Sequence, residues 1–338
     1  MRAVRLRQFG FDGLGVEELA EPAPRAGEVL LRVRAVSLNY RDVLIVRGEY
    51  DPRLKLPLVP CSDAACEVIA VGDGVTEVGV GERVTPIFSR GWHTGPPTRE
   101  TPRRALGGPF DGTLAELIVA SASDVARLPA YLDDVRAATL YCAGLTAYRA
   151  LFELARTNET TRVLVLGTGG VSTFAIALAR AAGADVTVVS RDAAKLARAV
   201  ALGAARGFCS TDVPSWGVAV REATEGGVDQ VIDVAGGSTL AEALHAVRPG
   251  GTISLIGTSG ARRGAPNEQP SLLPAVMREV RLQGVLVGPR SSFLAFAEAL
   301  ERWKIEPVVD ATFPLADVRG SFEHMASGSV VGKVVVTL

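Results

Sequence analysis

Short apolar runs separated by glycine and proline make up the first 120 residues of the chain. Val-rich runs lie at Glu28–Leu38, Cys66–Gly72, Glu82–Phe88 and Thr113–Ala120. Short runs bounded by regularly spaced turn residues are typical of all-β domains. The stretch Gly72–Val84 (GDGVTEVGVGERV) places turn glycines between apolar residues, as a hairpin does. The pattern predicts a small barrel or a set of hairpins in this part of the chain.

The segment Ser89–Phe110 has no hydrophobic period and contains eight glycine or proline residues. It therefore predicts a long loop. Loops of this length in compact domains are often functional covers or mobile connections. The sequence leaves both interpretations open, an ordinary flexible loop or a lid over a substrate.

The pattern changes near Pro129, where helix-length segments begin to alternate with short, uniformly apolar strands. This alternation predicts βαβ units and a parallel sheet covered on both faces. The C-terminal segment Val331–Leu338 is again strand-like, and we expect it to return to the first domain. The predicted helices are Asp133–Ala155, Val171–Ala182, Ala193–Leu202 and Leu240–Val247, and the predicted strands are Arg162–Gly167, Asp185–Ser190, Gln230–Gly236 and Gly251–Gly257.

Composition and charge narrow the class of protein. The 338 residues are 48% hydrophobic, and 36 basic residues against 37 acidic ones give a net charge of −1. A general binder of nucleic acid or anionic membranes carries a basic surplus, which this chain lacks. The apolar runs are too short for a membrane helix, and Met1–Phe9 alternates like a strand instead of forming a signal core. Four cysteines are too few for a disulfide framework, so we expect a cytoplasmic protein. The charge balance and the short apolar runs predict that it has no nucleic-acid or membrane partner.

The segment Arg162–Asp192 carries the clearest functional pattern. A buried strand leads into Gly167-Thr168-Gly169-Gly170-Val171, and an apolar helix follows. In a dinucleotide loop, glycines form the tight turn and let backbone N–H groups approach the pyrophosphate, while the helix N-terminus offers its positive dipole end. Ser172 stands where a third glycine is usual. Because a second strand follows the helix, the sequence predicts a Rossmann-type dinucleotide site.

The end of that second strand bears on the choice of cofactor. An NAD site usually has Asp or Glu there, which binds the ribose hydroxyls. This chain has Ser190, then Arg191, with Lys195 one helical turn further on. Position 190 thus offers no carboxylate to repel a 2′-phosphate, and the two cations can bind one. The sequence predicts NADP(H), with Asp192 capping the helix that begins there.

These motifs, in this order, resemble the medium-chain dehydrogenase/reductase superfamily, and most of all its zinc-lacking, quinone-oxidoreductase-like branch. The resemblance covers essentially the whole chain. It implies an α/β protein with a Rossmann doubly wound parallel sheet and a GroES-like β-barrel catalytic domain, and NADP(H) bound in the cleft between the two domains. The implied domains are residues 1–125, completed by 305–338, and residues 126–304. Besides the glycine loop and GDGVTEVGVGERV, the carrying segments are SLNYRD (Ser37–Asp42), YCAGLTAYRAL (Tyr141–Leu151), LARAVALGA (Leu196–Ala204), LQGVLVGPR (Leu282–Arg290) and VGKVVV (Val331–Val336).

The same resemblance allows a test for zinc. In zinc-using alcohol dehydrogenases of the superfamily, Cys stands at the position of Asn39, Gly-His-Glu at Cys61-Ser62-Asp63, and Cys at Cys142. Catalytic zinc needs three protein ligands, and only Cys142 matches. The four cysteines of a structural zinc lobe are also missing, since Ser89–Phe110 contains no Cys. The resemblance therefore implies a metal-free site, with Cys61 and Cys66 as buried hydrophobes and Cys142 packing beside the cofactor.

Further cofactor contacts are implied residue by residue. Thr146 matches a residue that lies against the nicotinamide ring, and Lys333 matches a basic residue near the cofactor phosphates. Ser210 stands where quinone reductases of the family often have a Tyr near the adenosine phosphate, so that set of contacts is less complete. Matches to the strand ends beside the nicotinamide are Ile256, Gly257, Gly284, Val285 and Leu286, and the loop near the adenosine ribose is matched at Val234.

The implied reaction is hydride transfer from NADPH to a quinone or an α,β-unsaturated carbonyl compound. Without zinc no Lewis acid supports an alkoxide, whereas an enolate or hydroquinone anion needs only hydrogen-bond donors. The donor candidates are Asn39, Tyr40, Ser62 and Tyr141, with Tyr40 preferred as the proton donor. Asp42 and Asp63 either order these donors or are structural carboxylates.

Two other functions stay open. One is a metal-free alcohol or ketone oxidoreductase, or an enoyl reductase acting in trans; the other is an NADPH-binding protein with little turnover. The intact nicotinamide-side residues Thr146 and Gly284–Leu286 favour an enzyme with a small-molecule substrate. By analogy with relatives that pair their Rossmann sheets edge to edge, we expect a homodimer through the apolar segment Arg281–Val287.

Overall fold

The computed structural model describes residues 1–257 and 270–338 of the chain. The strands are β1 (Arg2–Leu6), β2 (Leu14–Glu18), β3 (Glu28–Leu38), β4 (Asp63–Val71), β5 (Arg83–Pro86), β6 (Leu117–Ser121), β7 (Val125–Arg127), β8 (Arg162–Leu166), β9 (Asp185–Ser190), β10 (Arg206–Cys209), β11 (Val228–Asp233), β12 (Val247–Leu255), β13 (Arg281–Gly284), β14 (Val309–Pro314) and β15 (Lys333–Thr337). The helices are α1 (Tyr40–Val46), α2 (Asp134–Ala137), α3 (Leu145–Tyr148), α4 (Gly170–Ala181), α5 (Ala193–Ala201), α6 (Trp216–Ala223), α7 (Leu240–Ala246), α8 (Leu273–Met277), α9 (Arg290–Trp303) and α10 (Val318–Ala326).

The contacts divide the chain into two units. Unit 1 is Met1–Leu145 with Val287–Leu338, and unit 2 is Thr146–Leu286. The sequence assigned residues 126–145 and 287–304 to the second domain. In the structure these segments pack within unit 1: the Arg83 guanidinium donates to Asp134 Oδ1 at 2.6 Å, and the rings of Tyr141 and Phe293 stack at 4.8 Å.

Unit 1 is built around the long strand β3. The seven-stranded sheet has the order β14-β15-β3-β4-β5-β7, and β6 also pairs with β3. Strand β15 is antiparallel to β3, with Val334 opposite Leu38, so the C-terminal strand does return to the first domain as predicted. The core below the sheet includes Leu31 and Leu38 from β3 and Phe322 from α10.

Unit 2 is a parallel sheet of six strands in the order β10-β9-β8-β11-β12-β13. Numbered within the unit, this is the order 3-2-1-4-5-6 of a dinucleotide-binding Rossmann fold. Its core joins Leu164 and Val231 of the central strands to Trp216 and Leu244 of the covering helices. The predicted fold class is therefore confirmed.

Sequence periodicity located most elements but not their interruptions. Strands β3 and β9 have the predicted bounds. The predicted helix Asp133–Ala155 is instead α2 and α3 interleaved with two five-residue π-helical turns, Leu140–Gly144 and Arg149–Glu153. A π turn preserves an apolar helical pattern while shifting its phase, so hydrophobic spacing gave no signal for it.

The loop Ser89–Phe110 is anchored near its start. The backbone N–H groups of Arg290 and Ser291 donate to the carbonyls of Trp92 and His93 at 3.0 and 2.9 Å. The His93 ring nitrogen Nε2 also lies 2.8 Å from Asp124 Oδ1. The first two contacts fasten the loop to the beginning of α9, and the third fastens it to the residue before β7.

Within residues 1–257 and 270–338, none of the helices combines the length and the apolar character of a membrane span.

Candidate active site

The glycine loop of unit 2 begins directly after β8. Gly167 has a φ of +81°, a left-handed conformation that glycine adopts without strain. Gly169 is the N-cap of α4, and a Cβ there would meet no atom within 4 Å, so space lies beside its backbone. Ser172, in place of the third glycine, is buried and donates its hydroxyl to the carbonyl of Leu166 at 2.9 Å. Its extra side-chain atoms therefore fasten the helix to the strand.

Neighbouring strand ends meet this loop at one edge of the sheet. A Cβ on Gly167 would lie 3.4 Å from Val234, and one on Gly257 would collide with the Val234 carbonyl. The N–H of Ile256 donates to Asp233 at 2.9 Å. Open parallel sheets bind ligands at the carboxyl ends of strands where the strand order reverses, which here is between β8 and β11. The structure thus brings together Gly167, Val234, Ile256 and Gly257.

The nicotinamide-side candidates lie at the same edge. Gly284 ends β13, and the N–H of Val285 donates to the carbonyl of Leu255 at 2.9 Å. Thr146 is buried, and one turn later the Arg149 guanidinium donates to the carbonyl of Leu286 at 2.5 Å. This bond ties the helical segment that carries Thr146 to the end of β13.

Asp233 is a functional candidate that the sequence analysis missed. It ends β11, is fully buried, and its Oδ1 accepts hydrogen bonds from the N–H groups of Ala235 and Gly236 and from the Thr239 hydroxyl at 2.9–3.0 Å. An acidic residue that ends an apolar strand before Gly-Gly is the signal that could have found it. Asp233 shapes the loop that contains Val234.

A polar corner forms at the end of β9. Ser190 is buried, and its carbonyl accepts a hydrogen bond from the N–H of Ser210 at 2.9 Å. Asp192 accepts one from the N–H of Lys195 at 2.9 Å, which confirms that Asp192 caps α5. Arg191 is exposed between them. Two of the residues predicted to select the cofactor, Ser190 and Arg191, are therefore consecutive, and the third, Lys195, lies in the first turn of α5.

Unit 1 contains a buried polar cluster centred on Asp63, the first residue of β4. One carboxylate oxygen of Asp63, Oδ2, accepts hydrogen bonds from Asn39 Nδ2 at 3.1 Å and from the backbone N–H of Cys142 at 3.0 Å. The other, Oδ1, accepts from the Ser62 hydroxyl at 3.0 Å. Asp63 therefore orders two of the predicted donors, Asn39 and Ser62. We call these four residues, together with Lys333, the Asp63 cluster.

Lys333 enters the Asp63 cluster from the C-terminal strand. It is the first residue of β15, and the pairing of Val334 with Leu38 sets it beside Asn39. Its side chain is 2% exposed, and its ammonium donates to the carbonyl of Leu38 at 2.7 Å and to Asn39 Oδ1 at 2.5 Å. The resemblance implied a position near the cofactor phosphates. In the structure this ammonium makes its hydrogen bonds inside unit 1.

Two carboxylates and two cations share this part of unit 1. Burial raises the pKa of Asp42 to about 6, against the opposing effect of Arg41 and of the N–H of Asn39. Burial also raises the pKa of Asp63, although the Lys333 ammonium opposes it. The Arg41 guanidinium donates to the carbonyls of Leu106 and Gly108. The positive charges of Arg41 and Lys333 are balanced only if the carboxylates of Asp42 and Asp63 are both ionised.

The cysteines and tyrosines differ in their surroundings. Burial raises the pKa of the thiols of Cys61, Cys66 and Cys142, so all three stay protonated near neutral pH.

Tyr141 is buried in a π turn, burial raises its pKa, and its hydroxyl has no hydrogen-bond partner among the described residues. Tyr40 begins α1 and is 44% exposed.

Two known protein families match this chain, one in each half of the sequence. Residues 25–130 match the alcohol dehydrogenase GroES-like domain family, and residues 170–302 match the zinc-binding dehydrogenase family. The chain is 37% identical over 333 residues to a zinc-type alcohol dehydrogenase-like protein of Schizosaccharomyces pombe, covering 97% of this chain and 96% of that protein. A catalytic GroES-like unit joined to a Rossmann unit defines a class of oxidoreductases. The chain belongs to that class, the medium-chain dehydrogenase/reductase superfamily.

Two further likenesses extend along the whole chain. The structure of a protein from Sinorhizobium meliloti 1021 with an alcohol dehydrogenase assignment matches with a TM-score of 0.92 and 35% identity, covering 100% of this chain and 98% of that one. An acryloyl-coenzyme A reductase of Metallosphaera sedula is 29% identical over 332 residues, 96% of each protein.

The zinc implied by one family name can be tested against the side chains present. Catalytic zinc is held by three protein ligands of the Cys, His, Asp or Glu type. Over the part of the chain that the structure describes, no group of three such side chains is arranged to hold a metal. At the corresponding positions Asn39 and Ser62 already bond Asp63, and an ammonium lies 2.5 Å from Asn39 Oδ1. This donor set does not fit zinc.

Proposed function

We propose that the protein is a zinc-independent, NADPH-dependent oxidoreductase that transfers hydride to a quinone or an α,β-unsaturated carbonyl compound. The carrying observation is the Asp63 cluster, in which a lysine ammonium and hydrogen-bond donors stand where the resemblance puts metal ligands. A site with hydrogen-bond donors in these places favours acceptors in which the negative charge formed on hydride addition spreads over a conjugated system.

The reduction of a conjugated acceptor makes modest demands on the protein. When bound, the nicotinamide cofactor supplies the hydride. The protein must orient the acceptor and stabilise the oxygen that gains negative charge, which oriented N–H and O–H groups do without a metal. The acryloyl-coenzyme A reductase of Metallosphaera sedula, a full-length relative, is named for a substrate with a double bond conjugated to a carbonyl group.

The preference for NADPH rests on the polar corner of unit 2. Arg191 is exposed next to the buried Ser190, and Lys195 follows in α5. Two cations can bind a 2′-phosphate, and an adjacent hydroxyl can donate to it. The corner offers no Asp or Glu at position 190 to bind both ribose hydroxyls of NADH.

Tyr40 is the proposed proton donor. Its side chain is 44% exposed, so its phenol can recover a proton from solvent after each turnover. It directly follows Asn39, whose amide belongs to the Asp63 cluster. Ser62 is not proposed as a donor to the substrate, because the single hydrogen of its hydroxyl is donated to Asp63.

A second candidate is a metal-free alcohol or ketone oxidoreductase. The observation in its favour is the alcohol dehydrogenase name carried by the fission-yeast relative and by the Sinorhizobium meliloti structure. Binding of NADPH with little turnover is the outcome that would remove both enzymatic candidates.

The test is NADPH oxidation by protein treated with a chelator, with a small quinone, a conjugated enone and a plain ketone as parallel acceptors. We expect turnover of the quinone or the enone, and none of the ketone, with rates unchanged by added zinc. Activity on the ketone alone, lost on chelation and restored by zinc, contradicts the proposal. A protein that binds NADPH tightly but turns over none of the three acceptors also contradicts it.

A further inference from the structure

The two bonds of the Asn39 amide fix its orientation. An ammonium can only donate a hydrogen bond, so the amide atom that faces Lys333 must be the oxygen Oδ1. An ionised carboxylate can only accept, so the atom that faces Asp63 must be the nitrogen Nδ2. The distances are 2.5 Å to the ammonium and 3.1 Å to the carboxylate. If the amide turned over, both contacts would be repulsive.

This orientation leaves one donor of the Asp63 cluster available. The nitrogen of a side-chain amide carries two hydrogens, and one of them is used by Asp63. Among the residues that the structure describes, no acceptor takes the other. The Ser62 hydroxyl has already donated its only hydrogen to Asp63. Asn39 as a whole is 7% exposed, so the residue is largely but not completely shielded from solvent.

We propose that Lys333 is a positioning residue, which locks the Asn39 amide so that its free N–H donates to the oxygen of the substrate. This inference rests on the proposed function, because it identifies a donor for the same reaction. Lys333 acts through Asn39 and does not itself touch the substrate. Its positive charge also stabilises the ionised form of the buried Asp63 carboxylate.

A role at the cofactor phosphates predicts different behaviour for the same lysine. Lys333→Met removes the ammonium but keeps the length of the side chain. If Lys333 positions Asn39, kcat falls about 10- to 100-fold, as expected for a misplaced group, while the Kd of NADPH is unchanged. If Lys333 binds phosphate, the Kd rises and kcat at saturating NADPH is kept. Lys304→Met is the matched control, because Lys304 is an exposed lysine of the same unit.

A double-mutant cycle tests whether Lys333 acts through Asn39. Asn39→Ser removes the amide but keeps a residue suited to the N-cap of α1, so it should fold. We expect a loss of about 100-fold in kcat, in the range of a lost oxyanion donor. The double variant should then be no worse than Asn39→Ser alone. Additive losses overturn the inference.

Lys333→Arg keeps the test decisive if Lys333→Met fails to fold. Arginine keeps the charge and binds phosphate at least as well as lysine. Its planar guanidinium places the donors differently from an ammonium that contacts the Leu38 carbonyl at 2.7 Å and Asn39 Oδ1 at 2.5 Å. We therefore expect a lower kcat at unchanged NADPH Kd; full activity contradicts the positioning role.

A spectroscopic readout separates this inference from the proposed function. The chain has three asparagines, Asn39, Asn158 and Asn267, so selective ¹⁵N labelling gives three side-chain amide pairs, and Asn39→Ser assigns one. Lys333→Met should move the Asn39 pair, and Lys304→Met should leave it in place. If the wild-type protein reduces no acceptor and this shift is still seen, the locking contact stands and the proposed function fails. If the pair does not move, the inference fails whatever the activity.

Discussion

The backbone N–H of Asn39 donates to Asp42 Oδ2 at 2.8 Å, so the residue that supplies the amide of the Asp63 cluster also begins a helix held by a buried carboxylate. Asp42 is fully buried at the start of α1. The same carboxylate lies 3.4 Å from the Arg41 guanidinium. The position of Asn39 is therefore fixed through its backbone as well as through its side chain.

Asp42 makes stability depend on pH. Burial raises the pKa of Asp42 from 3.8 to about 6. Between these values the folded protein keeps a proton that the unfolded chain has lost, so the free energy of unfolding falls as pH rises from about 4 to about 6. We expect Asp42→Asn to remove this part of the slope, as measured by urea unfolding across that range.

The control for this experiment is an aspartate with the opposite shift. The N–H of Lys195 holds the pKa of Asp192 below its usual value, so its stabilising effect is lost as pH falls. Asp192→Asn should therefore change the slope in the opposite sense. Parallel curves for the wild type and Asp42→Asn would show that burial does not perturb this carboxyl group.

Two glycines of the dinucleotide loop should respond differently to alanine. Gly167→Ala forces a side chain into a φ of +81°, at a cost of about 1–2 kcal/mol, so we expect a lower Tm without any ligand. Gly169→Ala introduces a Cβ that meets no protein atom, so the Tm of the free protein should stay within about a degree. Its NADPH affinity should fall at least tenfold, because the methyl group occupies the space beside the helix N-terminus. Thermal unfolding with and without NADPH checks both expectations.

Arg191 should decide between the two nicotinamide cofactors. The loss of a charge-assisted bond to a 2′-phosphate costs about 1.5–3 kcal/mol, so Arg191→Ala should weaken NADPH binding about 10- to 100-fold. Binding of NADH should not change. Arg198→Ala, in the helix α5 that follows, is the control, and fluorescence titration gives the Kd of each cofactor for the wild type and for both variants. Equal weakening of NADPH and NADH by Arg191→Ala would assign the arginine to another part of the cofactor.

An exposed apolar surface supports the expected homodimer. Val276 and Met277 of α8 are 73% and 74% exposed, and β13, whose residues are all exposed, ends the sheet in the part of the chain that the structure describes. Large apolar patches beside an open strand edge commonly mark an interface. We expect Met277→Glu to shift the mass measured by light scattering from dimer to monomer. Leu294→Glu, at an exposed apolar position of unit 1, should leave the dimer intact.

Local patterns in the sequence predicted most of the strands and the dinucleotide loop, although the bounds of β11 and β12 differ from the predicted Gln230–Gly236 and Gly251–Gly257. The bounds of β3 and β9 and the capping role of Asp192 follow from hydrophobic spacing and from residue type, because each depends on neighbours within a few positions. The order of strand, glycine loop, helix and strand likewise predicted the Rossmann unit. The π turns were missed because a change of helical phase leaves the apolar pattern almost intact.

Only the tertiary structure places Lys333 beside Asn39. By sequence it is a lysine that enters a C-terminal strand, 294 positions from Asn39. The pairing of β15 with β3 brings it to that amide, and burial among Leu38, Asn39 and Asp63 gives its charge a partner that no local pattern predicts. Sequence spacing carries information about groups that share one element. The electrostatics of a buried cluster depend on groups that meet only when distant strands pair.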